Sequence, residues 1–206
     1  MNIDETIRAI QKEIGVGADG KAGPETWQAI YTRLFPTKTG RPTAVAAATA
    51  VAQRADARSE TAIATLLPQV QPYARALVFK AAAAGITIKI ISGLRAYAEQ
   101  DALYAQGRSK PGAIVTNARG GYSNHNFGIA FDIGVFEGSK YLGESPKYNA
   151  VGVLGGDLGL EWGGNWKTIK DAPHFQLRPA WATEIGEKEM LATLRDRVAS
   201  GAAVYV

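Results

Sequence analysis

The stretch 121-GYSNHNFGIAFDIGVF-136 decides how this chain is read. Its second half alternates. Ile129, Phe131, Ile133 and Val135 fall on one side of an extended strand, and Ala130, Asp132 and Gly134 fall on the other, which sets Asp132 on the face away from the core. Its first half is a turn of Gly, Ser and Asn that carries His125, one of only two histidines in 206 residues. Burial alone gives no reason to place a scarce imidazole directly ahead of a strand that bears a carboxylate.

Two more strands are read around this one. ITIKIIS puts Ile86, Ile88 and Ile90 on one face, with Gly93 and Arg95 at its end. PHFQL sets His174 and Gln176 on one side and Phe175 and Leu177 on the other. Helical patterns flank the strands. Ile63, Leu66, Leu67 and Val70 begin one that Pro68 and Pro72 interrupt, and it resumes through Leu77 and Val78 to stop at Gly85. YAEQDALYAQG is a short helix closed by Gly107. From Arg178 onward the pattern is helical, with Met190, Leu191, Leu194 and Val198 as its buried stripe. Helices around a few strands without βαβ regularity predict an α+β fold with a small antiparallel sheet.

The composition is that of an ordinary globular chain, 46% hydrophobic and 20% charged, enough for one core of ~150 residues plus a small appendage. A net charge of +4 suits an anionic partner such as nucleic acid, an anionic membrane face or an anionic wall polymer and ranks none of them; no basic run resembles a nucleic-acid patch, so no nucleic acid is expected. Cysteine is absent, so a metal must be held by His and carboxylate. MNIDETIRAIQKE contains no apolar core of a secretory signal, and no segment approaches the length of a membrane span. The expectation is synthesis in the cytoplasm, no membrane insertion, and release by another route.

The first 35 residues form a separate pattern. Ile3, Ile7, Ile10 and Ile14 make one face of a helix ended by Gly15 and Gly17. After the Asp19-Gly20 turn, Pro24 opens a second helix with Trp27, Ile30, Tyr31 and Leu34 as its stripe. DGKAGPETWQAI resembles the second half of a peptidoglycan-binding repeat, D-G-x-x-G-P-x-T-x-x-A. That resemblance makes residues 1–35 a small wall-binding unit with Asp19, Gly23 and Trp27 as candidate contacts. Residues 36–59, rich in Thr, Ala, Gly and Pro, read as a linker that is partly helical, and residues 60–206 as the main domain.

The two histidines each have an acid nearby, Asp132 seven residues after His125 and Asp171 three before His174. Two imidazoles and one carboxylate suit Zn²⁺ and leave a fourth position for water, as in catalytic sites. An odd separation along one strand would turn partners to opposite faces, so His125 must come from the turn, which Gly128 lets bend, and Asp171 from the loop before PHFQL.

SNHNFGIAFD resembles the S-x-H-x-x-G-x-A-x-D motif of the zinc D-Ala-D-Ala peptidases, the hedgehog/DD-peptidase fold. EWGGNWKTIKDAPHFQL is similar to the second motif of their L-alanyl-D-glutamate peptidase branch, which includes phage endolysins, and SGLRAYAEQDALYAQGR to the leading S-G-x-R block. The likeness runs from about residue 60 to 178. It implies that His125, Asp132 and His174 ligate one Zn²⁺, that Asp171 is the catalytic acid/base and that Arg95 steadies the substrate carbonyl. Ser123, Gln100 and Trp162 are candidates for the surrounding shell. Where the D,D-dipeptidase branch carries Glu this chain has Asp171, which favours L-alanyl-D-glutamate cleavage.

The sequence therefore predicts a monomeric, endolysin-like peptidoglycan hydrolase that acts on the wall after phage lysis or another route of export. A D,D-carboxypeptidase removing terminal D-Ala is the enzymatic alternative. A non-catalytic zinc- or wall-binding module is the alternative of another class, against which Asp171 and Arg95 speak. The segment after Leu177 has no counterpart in the family core.

Overall fold

The computed structural model describes residues 2–21, 26, 29–30, 53–167 and 170–206. The chain divides into two units, Met1–Arg41 and Pro42–Val206.

In the first unit, helix α1 (Ile3–Ile14) opens on a reciprocal cap, with the Glu5 amide donating to Asn2 Oδ1 and the Asn2 amide to the Glu5 carboxylate, and it closes at Gly15 with φ 79°. The isoleucine face does not form a buried stripe, since Ile3 and Ile10 are exposed. The buried residue of α1 is instead Gln11. Its Nε2 faces Asp19 Oδ1 at 2.8 Å, the Lys21 carbonyl at 3.0 Å and Thr26 Oγ1 at 2.9 Å, while its Oε1 accepts from the Gly20 amide. A buried amide outranks the isoleucines here because it satisfies the polar groups of the following turn. Asp19 is thus engaged within the unit. Gly23 and Trp27, with Pro24, Tyr31, Leu34 and residues 36–52, lie outside the described residues.

In the second unit, α2 (Ala57–Ile63) starts inside the stretch read as linker, capped by Asp56, whose carboxylate accepts from the Ser59 amide and hydroxyl. Helix α3 (Gln71–Ala83) carries Pro72 in its first turn, where a missing amide costs nothing, and Gly85 follows it at φ 74°. Strand β1 (Thr87–Ser92), α4 (Tyr97–Ala105), β2 (Ala130–Glu137), β3 (Lys140–Leu142), α5 (Lys147–Asp157), β4 (Glu161–Trp162), β5 (His174–Gln176) and α6 (Glu187–Ser200) complete the order.

The expected α+β architecture is present. The sheet is antiparallel throughout, in the order β1-β2-β5-β4, with β3 paired to the far end of β2. Phe131, Ile133 and Val135 of β2 join Ile88, Ile90 and Phe175 in a core closed by Leu77, Val78 and Val151 from the helices. Ile129 departs from this set and packs with Phe127, Met190, Leu191 and Leu194 in a second cluster beneath α6. The tail is not helical from Arg178. Pro179 and Gly186 break the pattern, only a single 3-10 turn (Ala180–Ala182) precedes α6, and Val198 is exposed rather than buried.

Candidate metal centre

The site is assembled where β1, β2 and β5 leave the sheet. Asp132 is the Cα partner of His174 across the β2–β5 pair and of Ser92 across β1–β2, next to an irregularity in register between Ile90 and Ser92. Directly opposed residues share a face, so Asp132 and His174 meet without any help from loops. His125 arrives from a 3-10 turn (Asn124–Phe127) that Gly128 closes at φ 66°, the left-handed region a glycine tolerates. Asn126 sews this turn in place. Its Oδ1 accepts from the amides of Gly121 and Ser123, and its Nδ2 donates to the Arg95 carbonyl. Ser123 is accordingly the residue that leads into the turn.

The three candidate ligand atoms lie within 4.8 Å of one another. Asp132 Oδ1 is 3.2 Å from His125 Nε2 and 3.4 Å from His174 Nδ1. The remaining ring nitrogens are occupied. His125 Nδ1 is 2.8 Å from the Gly93 carbonyl, which only accepts, so Nδ1 bears the proton. His174 Nε2 donates to Gln176 Oε1 at 3.0 Å. His125 Nε2 and His174 Nδ1 therefore converge on one carboxylate oxygen in a buried setting, an arrangement suited to hold a cation between them. Donors on a tetrahedral zinc at about 2.0–2.1 Å stand roughly 3.3 Å apart, and the two edges that meet at Asp132 Oδ1 fit that figure. The donor chemistry and spacing thus suit Zn²⁺.

Electrostatics agree. Burial works to raise the Asp132 carboxyl, but the two imidazoles outweigh it and hold it well below the usual carboxylate range. Burial opposes a charge on His174, and Asp132 overcomes it, so the imidazole is raised. Asp171 goes the other way: its carboxyl is raised, first by burial and then by the charge of Asp132. Among the described residues it is the acid beside the cluster whose affinity for a proton is raised.

Arg95 follows the tight exit of β1. A side chain at Gly93 would meet Thr65 Oγ1 at 2.3 Å and the Ala62 carbonyl at 2.6 Å, so only glycine lets the chain pass close enough to aim the Gly93 carbonyl at His125. The Arg95 guanidinium sits 3.7 Å from Asp132 Oδ2 and donates to Ser92 Oγ and to Gln100 Oε1. Gln100 is fully buried and is held in turn by Thr116 Oγ1 and the Ala118 carbonyl. Its contact is with the arginine.

The Gly-Trp segment builds the opposite wall. Trp162 is wedged against Gly152 and Gly164, where a Cβ would lie 2.4 Å and 2.1 Å from its ring, and its Nε1 donates to the Ala172 carbonyl. It props the loop that carries Asp171. Gly163 lies against that loop, and a Cβ there would meet the Asp171 carbonyl at 2.5 Å. Trp166 is the tryptophan that touches a candidate ligand, with ring centroids 4.8 Å from His174. Sequence reasoning did not single out Asn124, Asn126 or Gln176; their signal, polar residues flanking each histidine within two positions, was available.

Residues 116–177 match the D-alanyl-D-alanine carboxypeptidase family. Over 126 residues the chain is 42% identical to the peptidoglycan L-alanyl-D-glutamate endopeptidase CwlK of Bacillus subtilis (strain 168), an alignment that takes in 55% of this chain and 74% of that protein. Among solved structures it is similar to the L-Ala D-Glu endopeptidase ChiX of Serratia marcescens, with TM-score 0.47 and 28% identity over 61% of this chain and 90% of that one. It is also similar to a mutant of the vancomycin-resistance D,D-pentapeptidase VanY in complex with Zn(II), with TM-score 0.44 and 17% identity over 68% of this chain and 81% of that one.

Proposed function

Because the chain belongs to the D-alanyl-D-alanine carboxypeptidase family of zinc metallopeptidases, we propose that it hydrolyses the L-Ala–D-Glu amide in the stem peptides of peptidoglycan. The observation that carries this reading is the convergence of His125, Asp132 and His174 beside a raised Asp171, on a chain 42% identical to an endopeptidase of that specificity. Zinc held by these three residues supplies Lewis acidity and a water acidified to a pKa of about 7.

The remaining work falls to this chain's own groups. Asp171 takes the proton of the attacking water and returns it to the leaving amine, a role suited to its raised affinity for a proton. Arg95, fixed by Ser92 and Gln100, presents a permanent positive charge to the carbonyl oxygen as it becomes an oxyanion. Trp162 and Gly163 keep the Asp171 loop against the cluster.

The same reading assigns the N-terminal unit to wall adhesion, the whole protein to a monomeric lytic enzyme of endolysin type, and its place of action to the wall after release from the cytoplasm. Mass spectrometry of digested peptidoglycan tests the bond. New N-terminal D-Glu with D-Ala termini intact is expected; loss of single D-Ala residues with every L-Ala–D-Glu bond preserved would replace this assignment by D,D-carboxypeptidase activity.

A further inference from the structure

The ring nitrogen of His174 that faces away from Asp132 opens onto a closed circuit of five side chains. Gln176 Oε1 accepts from His174 Nε2 and from Asn124 Nδ2. Gln176 Nε2 donates to Glu161 Oε2 at 2.6 Å. Arg178 bridges Glu161 Oε1, through Nε, to Glu187 Oε2, through Nη2. Glu187 Oε1 then accepts from Asn124 Nδ2, which closes the ring. Gln176 is fully buried, Asn124 nearly so, and the circuit draws on β4, β5, the 3-10 turn that holds His125, and the first residue of α6.

The circuit has a direction. Glu161 and Glu187, both paired with Arg178, are carboxylates that only accept, so the amide nitrogens of Gln176 and Asn124 must turn to them. Gln176 is then left with its oxygen toward His174, and an oxygen there obliges His174 to keep its proton on Nε2. Asn124 Oδ1 meanwhile stays buried with no partner, a cost consistent with an amide oriented by its nitrogen's two acceptors.

We propose that Gln176 is a positioning residue for the metal ligand His174, and that Glu161, Arg178, Glu187 and Asn124 set its amide, so that α6 belongs to the metal site although none of its residues reaches the metal. This rests on the reading of His125, Asp132 and His174 as zinc ligands. The tail after Leu177 is thereby tied to the metal, because Glu187 closes the circuit from the start of α6.

The test is zinc affinity by competition with a chromophoric chelator on the full chain, with the tautomer of His174 read by ¹⁵N NMR of the zinc-free protein at a pH where it is neutral. Gln176→Leu is expected to weaken zinc binding by ~10–100-fold and to mix the two tautomers. Glu187→Ala, a change at a half-exposed helix start, is expected to weaken it several-fold with the circular dichroism unchanged. Leu191→Ala, which loosens α6 without touching the circuit, should lower the melting temperature and leave zinc affinity within twofold. Wild-type affinity and a single His174 tautomer in folded Glu187→Ala and Gln176→Leu would overturn the proposal, as would an equal loss in Leu191→Ala. Should Gln176→Leu not fold, Glu187→Ala decides alone. A wild-type protein that binds no zinc would instead strike at the metal reading itself.

Discussion

Asp132 and His174 stand directly opposite one another in the β2–β5 register, with Asp132 Oδ1 3.4 Å from His174 Nδ1. Two of the three candidate metal ligands are therefore brought together by strand pairing. A slip of one residue in that pair would turn one partner to the other face and dissolve the site.

Asp132→Asn should remove the anionic donor while keeping its shape. Wild-type protein is expected to carry about one zinc per chain, and the variant to lose both metal and peptidoglycan cleavage. Metal analysis after dialysis, alongside turbidity of wall suspensions, checks this; full zinc content in the variant would contradict the ligand assignment. Chelation of the wild type should abolish cleavage, and added Zn²⁺ should restore it.

Asp171→Asn should separate metal binding from chemistry. Zinc content is expected to stay at the wild-type level while kcat falls by ~10²–10⁴-fold, the usual worth of a positioned acid/base. A variant that lyses walls at the wild-type rate would remove Asp171 from the mechanism.

The same residue makes a prediction about pH. The Asp171 carboxyl is raised in the folded protein, by burial and by Asp132, so the folded state holds its proton more tightly than the unfolded chain. Its contribution to stability is present below the unfolded carboxyl pKa and is lost as pH rises through the folded one. In metal-free protein Asp171→Asn should therefore raise the melting temperature at neutral pH and change it little in acid. Melting curves in chelator at both pH values read the difference, and an equal shift at the two would refute it.

Arg95→Lys keeps the charge but loses the fork that Ser92 and Gln100 hold. It should cost ~10²-fold or more in kcat, comparable to deleting one oxyanion donor. Gln100→Leu, which frees the guanidinium without removing it, should cost less in the same assay and lower stability by ~1–3 kcal/mol through the polar groups it leaves unpaired.

Gly163→Ala tests the wall behind the loop. The added methyl would press on the Asp171 carbonyl at 2.5 Å and the His174 Cβ at 3.0 Å, so a destabilisation of ~1–3 kcal/mol with loss of activity is expected from denaturation and turnover measurements together. Gly156→Ala, where a methyl meets nothing within 4 Å, is the matched control.

The strands and their chemistry were legible because alternation is local: Phe131, Ile133, Val135 and Phe175 went to the core, and Asp132, His174 and Gln176 to the other side. Register was not legible, since nothing in either strand taken singly states that Asp132 faces His174. The isoleucine spacing of α1 marked a helix face without saying whether anything covers it; its buried residue, Gln11, answers to polar groups of the following turn. Val198 failed for a similar reason, one turn beyond the last residue that α6 packs down. The circuit behind His174 was invisible because it joins residues 124, 161, 176, 178 and 187, whose common neighbourhood exists only once four elements have met.

The two histidines present opposite nitrogens to Asp132, His125 its far Nε2 and His174 its near Nδ1. They are consequently not equivalent sites for ligand exchange. A glutamine amide reproduces the reach of Nε2 and an asparagine amide that of Nδ1, so His125→Gln and His174→Asn are the size-matched replacements. The crossed pair, His125→Asn and His174→Gln, would set the donor short at one position and long at the other. The choice of nitrogen thus prescribes the vocabulary with which this site could be rewritten for a different metal.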